Sequence, residues 1–277
     1  VVTPKNTETE VTGVYPQGVV DNYKVTFQDG RDVVTCGDHL WSYRFARRSK
    51  IRVSTTKELI DIYKEKNCLV PMTQALEFGE DDFTLHPYLV GCILGDGNIS
   101  QSHCCLTSMD TETIERLRDL GYTLNKWKTL DGGLASTYGV VGVVKHFREL
   151  GLMGTKSRTK FVPDVYLNAT KESRTYLVQG LMDTDGYVSP EGKMYYYSTS
   201  LQLAQDIQYL VRSLGGRATI TEKYTKYKGD KVLSYSVYIN HRDGRDFVSI
   251  PRKLERARPK RAVEGNQLTN IEQVESG

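Results

Sequence analysis

One short pattern occurs twice in this chain and limits the available folds more than any other feature. Leu89-Val90-Gly91-Cys92-Ile93-Leu94-Gly95-Asp96-Gly97 returns as Val178-Gln179-Gly180-Leu181-Met182-Asp183-Thr184-Asp185-Gly186. Each is an apolar helical run with small residues four apart, Gly91 with Gly95 and Gly180 with Thr184. Residues at i and i+4 share a helix face, so each run offers a stripe on which a second helix can lie backbone to backbone. Asp followed by Gly ends each run and lets the chain turn away. If the two helices pack on a pseudo-dyad, Asp96 and Asp185 meet at their C-terminal ends. Two carboxylates and the negative ends of two helix dipoles then form a cation site. Without a cation the carboxylates repel, and one of them must bind its proton more tightly.

The surroundings of the two runs repeat as well. After the first come a strand at 103–106, Thr107-Ser108, and an amphipathic helix over 112–120 stopped at Gly121. After the second come a strand at 194–197, Ser198-Thr199-Ser200, and a helix over 201–214 stopped by Gly215-Gly216. Ser108 and Ser200 stand at the predicted N-caps, and the glycines at the C-terminal stops. Ahead of the repeats, residues 23–27 and 32–36 flank a Gly-containing turn and read as a hairpin. A helix opens at Ser54-Thr55-Thr56-Lys57-Glu58 and runs to Lys66. Residues 78–83, with Glu80, Asp81 and Asp82, read as an acidic domain boundary.

The 277 residues are 39% hydrophobic and 26% charged, which excludes wholesale disorder and allows one large domain or two to three smaller ones. No apolar run approaches the ~18 residues of a membrane span. Val1-Val2-Thr3-Pro4-Lys5 lacks the basic and apolar regions of a signal peptide. The five cysteines form no CxxC pair, which points to a reducing compartment rather than a zinc site or disulfide framework. A net charge of +3 is too small to imply nucleic acid by itself, but the positive charge is clustered. Arg44, Arg47, Arg48, Lys50 and Arg52 form one group, and Arg252, Lys253, Arg256, Arg258, Lys260 and Arg261 another. Lys223, Tyr224, Lys226, Tyr227 and Lys228 alternate basic with aromatic side chains. Such clusters release counterions on binding a phosphate backbone. The candidate DNA contacts are Arg47, Arg48, Lys50, Lys223, Tyr224, Lys226, Lys228, Arg252 and Arg258.

The paired motif, with one strand–helix plan after each copy, resembles the LAGLIDADG homing endonucleases, and the two-copy arrangement resembles their single-chain members. The resemblance covers about residues 84–255. The first Asp of the signature is Leu94 in the first copy, whereas the second keeps Asp183. The final Asp, the family's metal-binding position, stands in both. The resemblance implies an α+β fold of two pseudo-symmetric αββαββα repeats, 80–165 and 166–255, whose sheets form a saddle over DNA. It implies a monomeric endodeoxyribonuclease that hydrolyses phosphodiester bonds on both strands of a long double-stranded site with Mg²⁺ or Mn²⁺. Asp96 and Asp185 would hold the metal, with Gly95 and Thr184 beside them, and Asp183 would be a helix-end residue. Lys160-Phe161-Val162-Pro163 stands where intein-type members carry a catalytic lysine. Lys160 is therefore the carried-over catalytic candidate, and Lys253 in Ile250-Pro251-Arg252-Lys253 its pseudo-symmetric counterpart. Either would polarise the attacking water or stabilise phosphorane charge. A DNA-binding regulator without cleavage and an RNA maturase are the alternatives on the same fold.

The flanks resemble a truncated intein splicing domain. Thr12-Gly13-Val14-Tyr15-Pro16-Gln17-Gly18 looks like its early strands, and Thr35-Cys36-Gly37-Asp38-His39 like its T-x-x-H block, with Cys36 at the Thr position. Residues 270–277 look like the approach to its C-terminal block. This implies a partial β-rich, Hint-like domain from 1–79, with a helical extension, to which 256–277 returns. Val1 in place of a nucleophile, and no terminal His-Asn pair, imply a chain that does not splice. His39 then reads as a satisfied histidine within a β-fold. The implied role is intein mobility in the cytoplasm of a bacterial or phage-infected cell, associated with the nucleoid. Gly151-Leu152-Met153-Gly154-Thr155-Lys156-Ser157 has the wrong glycine spacing for a P-loop. His103-Cys104-Cys105 lacks partners at metal-ligand spacing.

Overall fold

In the computed structural model, which describes residues 10–45, 49–78, 81–130, 132–227, 230–259 and 265–276, the two chain ends share one unit (1–74 with 262–277) and the intervening segment (75–261) forms another. The first unit starts with β1 (Asn22–Phe27) and β2 (Asp32–Cys36), the expected hairpin, turning at Gly30 with φ +80°. There follow β3 (Leu40–Tyr43), β4 (Arg52–Thr55), α1 (Thr56–Glu65) and β5 (Leu69–Pro71). A capping box starts α1: Glu58 N–H donates to Thr55 Oγ1 at 3.2 Å and Thr55 N–H to Glu58 Oε2 at 2.8 Å.

The second unit contains the repeats. The first runs α2 (Pro87–Asp96), β6 (Gly97–Ile99), β7 (Cys104–Ser108), α3 (Thr111–Asp119), β8 (Leu124–Thr129), β9 (Ser136–Val140) and α4 (Val144–Glu149). A short helix, α5 (Asp164–Leu167), leads to the second: α6 (Lys171–Thr184), β10 (Gly186–Val188), β11 (Met194–Ser198), α7 (Leu201–Ser213), β12 (Arg217–Tyr227), β13 (Asp230–Asn240) and α8 (Pro251–Leu254). The chain then re-enters the first unit as β14 (Gly265–Val274), pairing with β1 and β5 in the order β2-β1-β14-β5. Both repeats build antiparallel sheets of the same order, β6-β7-β9-β8 and β10-β11-β13-β12. The fold is α+β, with one αββαββ plan used twice.

The glycine stops stand as expected, Gly121 at φ +88° and Gly215 at φ +84°. Ser200 caps α7, accepting from Leu203 N–H at 3.2 Å. Ser108 is not the cap of α3. It ends β7 and accepts from Asp110 N–H at 3.0 Å, which moves the N-cap position on to Asp110. The Asp110 carboxylate makes no cap bond because Arg252 takes both its oxygens at 2.6 Å. Of the expected acidic boundary at 78–83, residues 79 and 80 lie outside the described residues and Asp81 belongs to the second unit. Asp81 accepts from Thr170 N–H at 2.8 Å and from Ser173 Oγ at 2.6 Å, securing the start of α6 within the second unit.

Helices α2 and α6 form the centre of that unit. Every residue of α2 except Asp96 is buried, as a helix apolar on all sides requires. The seam depends on two glycines. A Cβ on either Gly91 or Gly180 would lie 3.0 Å from the other's Cα and inside contact distance of the facing backbone, Leu177 O and Tyr88 O respectively. A Cβ on Gly95 would strike the Thr184 side chain. The helices are thus spaced by backbone, without side chains between them. Gly91→Ala should cost about 2 kcal/mol or more through overpacking. In thermal unfolding this lowers Tm by roughly 4–8 °C. An unchanged Tm would mean that the close approach is not required.

Candidate active site

The seam delivers the two motif carboxylates to one place. Asp96 ends α2 and Asp185 follows Thr184 at the end of α6, both reaching solvent at the rim. Their carboxyl groups are close enough to share a hydrogen bond. Protein packed around Asp185 strips it of hydrating water, and the adjacent Asp96 charge adds to this. Together they push the Asp185 carboxyl up to about 7, against the pull of Lys160 and Lys253. Asp185 therefore binds a proton more tightly than an isolated carboxylate does.

Two buried lysines complete the arrangement. Lys160 Nζ donates to the carbonyls of Ile93 (3.2 Å), Gly95 (2.7 Å) and Gly97 (2.9 Å), closing the end of α2. Lys253 Nζ donates to those of Met182 (2.7 Å), Asp183 (2.8 Å) and Thr184 (3.0 Å), closing α6. The structure therefore makes Lys253 the pseudo-symmetric partner of Lys160, each ammonium satisfying last-turn carbonyls that a helix leaves open. Burial holds the Lys160 ammonium below the ordinary lysine value, opposed by Asp185 and then Asp96. Burial, with Arg252 adding, pushes Lys253 down to about 8.

Gly95 and Thr184 were expected beside the metal. Their carbonyls already accept these lysines, and the Thr184 hydroxyl donates back to Gly180 O at 2.8 Å. Each of those carbonyls keeps a second lone pair, and the two carboxylates are the charged oxygens that the site offers a cation. Among the described residues no group of three or more His, Cys, Asp or Glu side chains could hold a metal.

Asp183 is buried and binds its own protein. It accepts from Ser249 N–H at 2.8 Å, Ile250 N–H at 3.4 Å and Tyr88 Oη at 2.9 Å, and from Ser249 Oγ. Those bonds hold the segment that carries Lys253. Leu94, its counterpart, cannot do this, and Lys160 is positioned from α7 instead. Ser200 Oγ donates to Lys160 O at 2.7 Å, and Asp206 accepts from Val162 N–H at 2.7 Å.

The expected DNA contacts divide. Lys50, Lys223, Tyr224 and Arg258 are exposed, with Lys223 Nζ 5.5 Å from the Tyr197 ring centre. Arg252 is half-exposed, but its charge is committed to Asp110. Arg47, Arg48 and Lys228 lie outside the described residues, as does the side chain of Lys226. The sequence reading missed an aromatic set on the outer faces of the two sheets. Tyr195 and Tyr197 point away from the helices, their rings 6.2 Å apart, Tyr238 lies 5.3 Å from Tyr195, and Trp127 is half-exposed between Lys126 and Lys128. The period-2 alternation of Met194-Tyr195-Tyr196-Tyr197-Ser198 was the available signal. In the first unit His39 is exposed, its ring edge-on to Trp41 at 5.1 Å.

Residues 172–250 match the family model of the LAGLIDADG-like domain. The chain is 27% identical over 232 residues to the replicative DNA helicase DnaB of Mycobacterium intracellulare, covering 75% of this chain and 37% of the helicase. It is 30% identical over 117 residues to the ATP-dependent DNA helicase Hel308 of Methanocaldococcus jannaschii, covering 40% and 9%. Against the DnaB of Rhodothermus marinus it is 31% identical over 102 residues, covering 35% and 11%. The chain thus spans well under half the length of these relatives. Among solved structures it is similar to mesophilic variants of the homing endonuclease I-DmoI (14% identity, TM-score 0.41, 61% of this chain and 94% of that one). Fold and motif together define a two-repeat α+β protein whose halves meet through one duplicated helix. The stretch similar to the LAGLIDADG-like domain, residues 172–250, lies in its second repeat.

The Asp185 shift sets a pH dependence whose sign follows from linkage. A carboxyl that binds its proton more tightly when folded stabilises the fold fully below about pH 4, and that contribution is lost as pH rises through about 7. Metal-free wild-type protein should therefore lose Tm relative to Asp185→Asn between those limits. Parallel Tm–pH curves for the two proteins would contradict the raised Asp185 carboxyl.

Proposed function

We propose that this chain is a site-specific, double-strand DNA endonuclease of the homing type, using a divalent cation, Mg²⁺ or Mn²⁺, held between Asp96 and Asp185. The observation that carries the reading is the paired set of groups at the end of the seam. Two carboxylates from two helix ends lie in mutual contact and open to solvent, each flanked by a lysine buried against the helix ends. The donor set fits a hard divalent cation, since two adjacent carboxylates that repel one another would gain from binding one. Such a cation would polarise a phosphate oxygen and lower the pKa of bound water.

The protein's own residues supply the rest. Asp96 and Asp185 fix the position of the charge, one from each repeat, so that two strands can be addressed from one seam. Lys160 and Lys253 keep fixed positive charge beside the carboxylates, where it favours a phosphate over water and stabilises charge that develops on its oxygens. Lys223, Tyr224 and the outward tyrosines offer backbone and base contacts from the sheet. The regulator and maturase readings have no observation of their own.

The matches to limited stretches of much longer helicases support an element carried inside a host protein, with intein mobility as its role. The first unit, in which β1 and β14 pair, is the remnant of the surrounding intein-like domain on this reading. The enzyme acts as a monomer on a long site, in the cytoplasm at the nucleoid.

A supercoiled plasmid carrying the uninterrupted host-gene junction tests this. Linear product should form with Mg²⁺ and not with EDTA. Asp96→Asn and Asp185→Asn should each abolish linear product while binding the same DNA within about threefold of wild type, a loss below 1 kcal/mol. Linear product from either variant would remove the assignment, and tight binding without cutting by wild type would favour the regulator.

A further inference from the structure

Beside Asp185 the second repeat opens a cleft of about 340 Å³, which Leu94, Gly95, Lys160 and Tyr196 also line. Most buried polar groups in a folded protein find a hydrogen-bond partner. Two on this cleft do not: the hydroxyls of Tyr196 and Thr199 are buried without one. Tyr196 is only 1% exposed, on the helix-facing side of β11, within reach of the charges of both Asp185 and Asp96. Leaving a phenol unsatisfied there is destabilising, and a filled site would recover the loss.

The matching position of the first repeat carries no hydroxyl. Tyr196 faces Gly186 across β10 and β11, and the residue that faces Gly97 in the same register of β6 and β7 is Leu106, fully buried and apolar. The two halves share their carboxylates and lysines but differ here.

Resting on the nuclease reading above, we propose that the Tyr196 hydroxyl is a further group of the site, donating a hydrogen bond to an oxygen bound to the cation that Asp96 and Asp185 hold. Only one half-site has this donor, so the two DNA strands are cut at unequal rates. That oxygen is a water in the free protein and a water or phosphate oxygen in the DNA complex.

Tyr196→Phe tests the proposal cleanly, because removing a hydroxyl with no protein partner does not weaken the fold. Terbium emission excited through tyrosine reports a nearby tyrosine without any need for activity. Wild type should show sensitised emission, Asp96→Asn and Asp185→Asn should lose it, and Tyr196→Phe should lose most of it while still binding terbium on direct excitation. With DNA, Tyr196→Phe should slow one strand's cleavage by about tenfold, the equivalent of one hydrogen bond, and leave the other unchanged, so that nicked circles accumulate. Full sensitised emission with both strands cut at wild-type rates would overturn the role of Tyr196 and leave the nuclease reading intact, as would equal slowing of both strands. Terbium emission retained in the Asp variants, with no wild-type cutting, would overturn both.

Discussion

Backbone contact between α2 and α6 at Gly91 and Gly180 is the constraint on which the rest of the second unit depends. It sets the helix separation below what any side chain would allow, and that separation decides how far apart two helix ends, and two carboxylates, can be. The seam is consequently both the core of the unit and the scaffold of its site. Its apolar faces are stabilising, while its ends bring like charges together at a cost that shows in the raised Asp185 carboxyl. Burying two lysines on the helix ends offsets part of that cost, since each ammonium exchanges water for three carbonyl oxygens.

Duplication did not leave the halves equal. Asp183 anchors the segment carrying Lys253, whereas Leu94 packs apolarly and Lys160 is secured from α7 by Ser200 and Asp206. The same lysine position is thus reached by two routes. Arg116 of the first repeat lies 3.8 Å over the Tyr88 ring, donates to Gln179 at 2.7 Å and comes within 4.0 Å of Asp183. Arg252 meets Asp110 in the opposite direction. Polar contacts of this kind tie each repeat to the other's support structure, so the halves can diverge in detail while the seam stays fixed.

The elements most readable from sequence were those with a local cause. Periodicity gave the helices, the Gly-x turn gave the β1–β2 hairpin, and small residues at i and i+4 gave the seam with its two Asp residues. What escaped depended on partners distant in the chain. Ser108 looked like a cap, but it ends β7 and passes the cap position to Asp110, whose carboxylate Arg252 at the other end of the unit has claimed. That the carbonyls of Gly95 and Thr184 accept two lysines far along the chain was not readable locally. Lys253 could be paired with Lys160 only through space, because its flanking Pro lies on the other side. The aromatic face of β11 was legible in principle, since alternate residues of a strand must point to opposite sides.

The account turns on one shared ion. Crystals of the protein grown with Mn²⁺, with anomalous scattering recorded at the manganese edge, test it most directly. A difference peak between the Asp96 and Asp185 carboxylates, lost in Asp96→Asn, is the result this account predicts. Strong manganese peaks elsewhere with none between those two groups would contradict it.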